Sequence, residues 1–319
     1  MLRRPASLVL KWFEKPNIKH HSNHFAGRSS IMTISTLPLN DGNQVPWIAF
    51  GTGTALFRKD AEDATRLALD NGFTHLDGAQ VYGNENTLGS GIVASGKSRS
   101  ELFITTKLGQ LQPGETPKSA LQESLKQIKV DYVDLYLVNH ASNHVGKLKE
   151  VWKGMEEAQK AGLTKSIGVS NFTADHLKTI LEIATIPPAV NQVEAHPYVW
   201  QALQPNLAIH DQYKIVTSSF GGLSSLFRGK GGPLDPVIEQ IRARLEKTRG
   251  APVSDGQVLN KWLQQKGVLV VTTSSKAERI REYLDTQNVP ELTSEEIALI
   301  DTIGGKLHKR YFLGHWPYE

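Results

Sequence analysis

The chain contains no cysteine, which excludes disulfide bonds, a thiolate nucleophile and cysteine-based metal centres. It has no apolar run approaching the roughly 20 residues that a membrane-spanning helix needs. Nor is there a deep imbalance of charge. The formal net charge of +4 is concentrated in the first 31 residues, where Arg3, Arg4, Lys11, Lys15, Lys19 and Arg28 face one acid, Glu14. Taking these from the 36 basic and 32 acidic residues of the whole chain leaves 30 and 31, which speaks against a nucleic-acid-binding surface.

What is present fits a globular protein: 319 residues, 39% hydrophobic and 21% charged, enough to bury a sizeable core. Residues 1–31 read as a basic N-terminal extension, and residues 32–319 as a single barrel domain. The extension is rich in Arg and Ser and nearly acid-free, as mitochondrial presequences are. A disordered tail ahead of an internal start at Met32 would look the same. The expected compartment is the cytoplasm, or the mitochondrion if the extension is a presequence.

Along the body, short β-rich apolar runs alternate with stretches of helical period. TLPLNDGNQVPWIAF predicts a hairpin turning at Asp41-Gly42 and leading into a strand that ends at Phe50. The spacing predicts eight strands, near Ile48, Thr74, Leu102, Val133, Lys165, Ala189, Ile215 and Leu269, each followed by a helix. Thr116 with Pro117, Ser254 with Gln257 and Thr293 with Glu296 are helix-start signals. Strands separated by helices run parallel, and eight such units close into a (β/α)8 TIM barrel. Here the barrel carries an N-terminal β-hairpin and extra helices near the C-terminus. An open doubly wound sheet is the rival, but no G-x-G-x-x-G follows the first strand.

Chemistry in such barrels sits at the C-terminal ends of the strands. Asp77 and Lys107 end adjacent strands and should pair, with Tyr82 in the loop just beyond Asp77. A phenol beside an ammonium group should have its pKa lowered into a range useful for proton donation. The trio suits protonation of an oxygen that gains charge as hydride reaches a carbonyl carbon. A structural salt bridge beneath a surface tyrosine would use the same residues.

GFTHLDGAQVYGNENTLG at 72–89, LTKSIGVSNF at 163–172 and NQVEAHPY at 191–198 together resemble the aldo-keto reductase superfamily, from about Ser35 to the end of the chain. The match looks nearest to the fungal branch that reduces ketones and α-dicarbonyls, the conjugated polyketone reductase-like enzymes. Thr74 and Gly78 depart from the usual Arg and Thr or Ser. The resemblance implies a reductase that uses NADPH, with NADH as a secondary cofactor and no flavin or metal. It implies Tyr82 as proton donor, tuned by Lys107 and Asp77. Ser170, Asn171 and Gln192 would hold the nicotinamide carboxamide. Phe220 would stack on the ring in place of the usual Tyr, with Gly51, Thr52, Gly221 and Leu223 bordering the cofactor.

The family's fourth catalytic residue is a His, usually followed by Trp. Aligned on DLYLV without a gap, that position is Asn139, and His140 takes the Trp position on the substrate-pocket wall. A bulge at the strand end would instead turn His140 inward. Asn139 can donate an N–H but carries no charge, and the non-catalytic potassium-channel β subunits resemble this chain in having Asn there. At the adenosine end, Thr273 and Ser274 stand where a Lys-Ser pair is usual, with Arg279 at the family's Arg and Tyr283 at its Asn. Hydroxyls plus Arg279, with Lys276 near, suffice for a 2′-phosphate.

The remaining histidines read as structural. His196 should satisfy backbone groups, and His20, His21 and His24 lack a supporting ligand set for a metal. Tyr311, Phe312 and Trp316, in a segment that also holds His308 and His315, would cover the barrel mouth or pack outside it. The expected activity is NADPH-dependent reduction of a small activated carbonyl, such as an α-dicarbonyl, an α-keto lactone or an aldehyde. The other reading is an NADPH-binding regulatory barrel with vestigial activity. The expected partner is the small carbonyl substrate, without nucleic acid or membrane, in a monomer or homodimer.

Overall fold

The computed structural model describes residues 34–312, so the basic extension, the histidines near residue 20, His315 and Trp316 lie outside the described residues. Two short strands, β1 (Thr36–Pro38) and β2 (Gln44–Pro46), form an antiparallel hairpin around Asp41-Gly42. Gly42 makes this turn at φ 88, a conformation that glycine adopts without steric cost.

Eight parallel strands then close in chain order: β3 (Ile48–Gly51), β4 (His75–Asp77), β5 (Phe103–Leu108), β6 (Val133–Val138), β7 (Thr164–Ser170), β8 (Val190–Glu194), β9 (Val216–Phe220) and β10 (Leu269–Thr272), the last pairing with β3. Helices Glu62–Asp70, Glu85–Ser95, Pro117–Ile128, Leu148–Lys160, Ala174–Leu181, Gln204–Tyr213, Asp255–Gln265 and Ala277–Asp285 follow them. The architecture is the expected (β/α)8 barrel. Asp235–Arg249 and Ser294–Gly304 are the extra helices near the C-terminus. Thr116, Ser254 and Thr293 all cap their helices with reciprocal side-chain bonds.

Alternation along each strand decides which side chains enter the barrel. Tyr136 and Val138 face the helices, and the Tyr136 hydroxyl donates to Pro117 O. Leu135 and Leu137 therefore face inward, where they pack with Phe103, Val190 and Leu269. Leu39 and Val45 of the hairpin join this interior cluster from the N-terminal ends of the strands. Asn43 and Asn40 tie the hairpin down, donating to Ser166 Oγ (3.0 Å) and Pro188 O (2.9 Å). The far end of the barrel is thus plugged, and inward side chains one step past the strand ends reach the open rim.

Two of the four buried histidines among the described residues have their pKa pulled furthest down. His75 lies inside the barrel against Thr105 Oγ1 (2.9 Å), and His210 lies outside it against Thr217 Oγ1 (2.8 Å). Burial pulls each down to about 4. The unfolded chain takes up these protons below about pH 6.5, so their contribution is complete above that pH and is lost as pH falls toward 4. Urea denaturation at pH 4.5 should show about 2–3 kcal/mol less stability per histidine than at pH 7. Equal stability at the two pH values would mean that neither ring is held neutral by the fold.

Candidate active site

Asp77 and Lys107 are the last inward residues of β4 and of neighbouring β5 before the rim. Both are buried, and Lys107 Nζ donates to Asp77 Oδ1 at 2.5 Å. The same ammonium donates to Gly78 O at 2.9 Å and to Tyr82 Oη at 3.2 Å. An ammonium has three hydrogens and no acceptor, so these contacts use all of its donors. Tyr82 Oη is an acceptor in this arrangement, and its own hydrogen stays available to a further group.

Tyr82 sits on a single 3-10 turn, Gln80–Tyr82, closed by Gly83 in the left-handed conformation (φ 64). Gly53 lies against the phenol, and a Cβ there would come within 2.8 Å of the ring. Phe57 meets the ring edge-on with centroids 6.3 Å apart. Burial pushes the Tyr82 pKa above its ordinary value, and the Lys107 charge, which acts in the opposite direction, does not overcome it. This reverses the lowering expected from sequence: Asp77 offsets the lysine charge, and loop residues partly screen the phenol from water. Lys107 itself stays charged. Burial alone would lower its pKa, but Asp77 and Tyr82 raise it on balance.

The other strand-end residues form a continuous polar chain around the rim. Gln192 Nε2 donates to Asp77 Oδ2 at 2.8 Å, and Ser170 Oγ donates to Gln192 O at 2.8 Å. Asn171, held at φ 57, donates through Nδ2 to Asn139 O at 2.9 Å and to Ser170 Oγ at 3.2 Å. Its Oδ1 is buried and has no hydrogen-bond partner among the described residues. A carboxamide N–H would satisfy that oxygen, so this corner fits a nicotinamide. The Thr52 hydroxyl is turned instead toward Asp77 O and Asn84 Oδ1, each 3.4 Å away.

Strand alternation sends Asn139 inward, two residues past Leu137, and turns His140 the other way. His140 Nδ1 accepts from Ser142 N at 3.1 Å. Phe220 is an inward residue at the end of β9, followed by Gly221 at φ 67. Leu223 Cδ1 lies 3.6 Å from where a Cβ on Gly256 would be. After β10, Thr273 and Ser274 are partly exposed, and Arg279 lies 3.8 Å from Glu282 and 5.8 Å from the Phe227 ring centroid.

Sequence reasoning assigned no role to Asn84, which is buried and donates to Thr52 O (3.0 Å) and Leu56 O (2.8 Å), joining the loops after β3 and β4. His196 departs from expectation, bonding the Glu194 carboxylate at 3.0 Å rather than backbone. A cleft of about 840 Å³ lies at the opposite end of the barrel, beside Asn40, Lys214 and Lys266, remote from these groups. Among the described residues no group of three or more His, Asp or Glu could hold a metal ion.

The aldo/keto reductase family model matches residues 47–304. The NAD/NADP-dependent indole-3-acetaldehyde reductase of Schizosaccharomyces pombe is 37% identical over 284 residues, covering 86% of this chain and 97% of its own. The Bombyx mori aldo-keto reductase solved in complex with NADP superposes with a TM-score of 0.75 at 32% identity, covering 89% of this chain and 97% of that one. An aldo/keto reductase from Brucella melitensis gives 0.73 at 29% identity, over 85% of this chain and all of its own.

Removing one partner of the buried pair tests the rim. Lys107→Met should cost about 3–5 kcal/mol in urea unfolding, because it leaves the Asp77 charge buried without its cation. Adding Asp77→Asn should recover much of that loss. A single variant as stable as the parent would show that the pair does not hold the site together.

Proposed function

The chain belongs to the aldo/keto reductase family, a family of oxidoreductases, and on that premise we propose that it reduces a ketone or aldehyde to the alcohol with NADPH. A bound nicotinamide supplies the hydride. The observation that carries the rest is the exhaustion of the Lys107 donors on Asp77, Gly78 O and Tyr82. Tyr82 thereby keeps a hydrogen to give, and burial keeps the phenol protonated. As negative charge develops on the carbonyl oxygen, the Tyr82 O–H is its proton source and the Lys107 charge favours the phenolate left behind. Asn139 can offer a neutral N–H to the same oxygen, a weaker aid than an imidazole of adjustable charge.

Asn171 Oδ1 would hold the carboxamide and Phe220 the ring face. NADPH is the preferred cofactor and NADH a secondary one, since Thr273, Ser274 and Arg279 can meet a 2′-phosphate without the usual lysine. The named cofactors of the fission-yeast relative and the NADP held by the silkworm enzyme support this choice. The substrates are small activated carbonyls, α-dicarbonyls and α-keto lactones among them, and aldehydes. Asn139 also supports a second reading, a barrel that binds NADPH and regulates with vestigial turnover. Binding without oxidation of NADPH across a carbonyl panel would select it.

Tyr82→Phe should abolish NADPH oxidation with a dicarbonyl substrate and leave nucleotide binding intact; ordinary turnover would remove Tyr82 from the chemistry. Asn139→His should raise the rate on simple aldehydes. Because the Tyr82 pKa is raised, kcat for reduction should stay level through neutral pH and fall only beyond the ordinary phenol range near 10. A fall centred near pH 7 would point to another donor.

A further inference from the structure

Glu194 is the last inward residue of β8, two positions beyond Gln192, and its side chain is fully buried. A carboxylate in such a place persists only if its lone pairs are matched. His196 Nε2 lies 3.0 Å from Oε1, and the Tyr311 amide donates to the same oxygen at 2.7 Å. The Phe312 amide donates to Oε2 at 3.3 Å, and Arg310 Nη1 lies 3.6 Å from it, with the arginine side chain 1% exposed. Burial holds His196 below its ordinary pKa, so the ring is a neutral donor to the carboxylate.

The segment pinned in this way is the end of the described chain, 117 residues away in sequence. Tyr311 packs with the outer core, while Phe312 turns to the rim. Phe312 meets Phe220 edge to face with centroids 5.6 Å apart, and its ring lies where a Cβ on Gly221 would fall within 2.7 Å. Arg228 covers the same ring at 4.5 Å. Phe312 is the only aromatic neighbour of Phe220 among the described residues, so the chain of contact runs from a strand-end carboxylate through two backbone amides to the Phe220 ring.

We propose that Glu194 is a positioning residue whose carboxylate holds Arg310–Phe312 on the rim so that Phe312 fixes Phe220 as one wall of the nicotinamide pocket. This rests on the reading of Phe220 given under Proposed function. Glu194 touches neither substrate nor cofactor. Its effect is confined to the end of the pocket that Phe220 borders, and the adenosine end, served by Arg279 and Ser274, is independent of it.

The test uses the full chain and two nucleotides, NADP⁺ and 2′-phospho-ADP-ribose, which lacks the nicotinamide. Glu194→Gln keeps the side-chain shape but turns one acceptor into a donor facing a backbone N–H. Calorimetry should show NADP⁺ bound about three- to tenfold more weakly by Glu194→Gln and by Phe312→Ala, with 2′-phospho-ADP-ribose unchanged. Without nucleotide, amide exchange at Tyr311 and Phe312 should accelerate in Glu194→Gln. Equal weakening of both ligands, or unchanged NADP⁺ affinity, overturns the proposal. So does unaltered amide protection in Glu194→Gln. If that variant does not fold, Phe312→Ala decides by the same ligand comparison. Failure of the parent to bind NADP⁺ would instead strike the cofactor reading itself.

Discussion

A buried ammonium with every hydrogen committed is the constraint on which the rim of this barrel depends. Lys107 must be charged to hold Asp77, Gly78 and Tyr82 together, and in a dry place it stays charged because Asp77 and Tyr82 lie against it. Asp77 in turn spends its second oxygen on Gln192 from the other side of the mouth. The pair therefore does more than tune one phenol. It ties β4, β5 and β8 to a common point.

Much of the fold was legible because parallel strands buried on both faces read as apolar runs, and helix starts such as Thr116-Pro117 announce themselves by local chemistry. The Asp77–Lys107–Tyr82 grouping was legible for the same reason: two residues at neighbouring strand ends must meet. The direction of the Tyr82 pKa was not. It depends on Gly53 and Phe57, whose loop lies against the phenol only once the chain has folded. The partner of His196 was hidden in another way: Glu194 is only two residues distant, but the two are buried together only in the closed barrel.

The phase of the strand that leads to Asn139 and His140 is set by Tyr136. Tyr136 reaches outward to Pro117, and this fixes the phase of β6, which carries Asn139 to the inner face and His140 away from it. Asn139 O then accepts from Asn171, linking the substituted position to the corner whose Oδ1 lacks a partner. The register of β6 with its neighbours is regular up to Val138. In the proposed reaction the group offered to the substrate oxygen is therefore a fixed amide dipole and not an ionisable ring.

The hairpin at the other end has a bearing on turnover. Leu39 and Val45 stopper the barrel beneath His75, which burial keeps neutral and which makes no hydrogen bond to Asp77. Among the described residues its ring nitrogens meet Pro46 O and Thr105 Oγ1, not the Asp77–Lys107–Tyr82 group. In the proposed reaction the proton that restores the Tyr82 phenol would then come from the rim side, where Lys107 Nζ already donates to its oxygen at 3.2 Å.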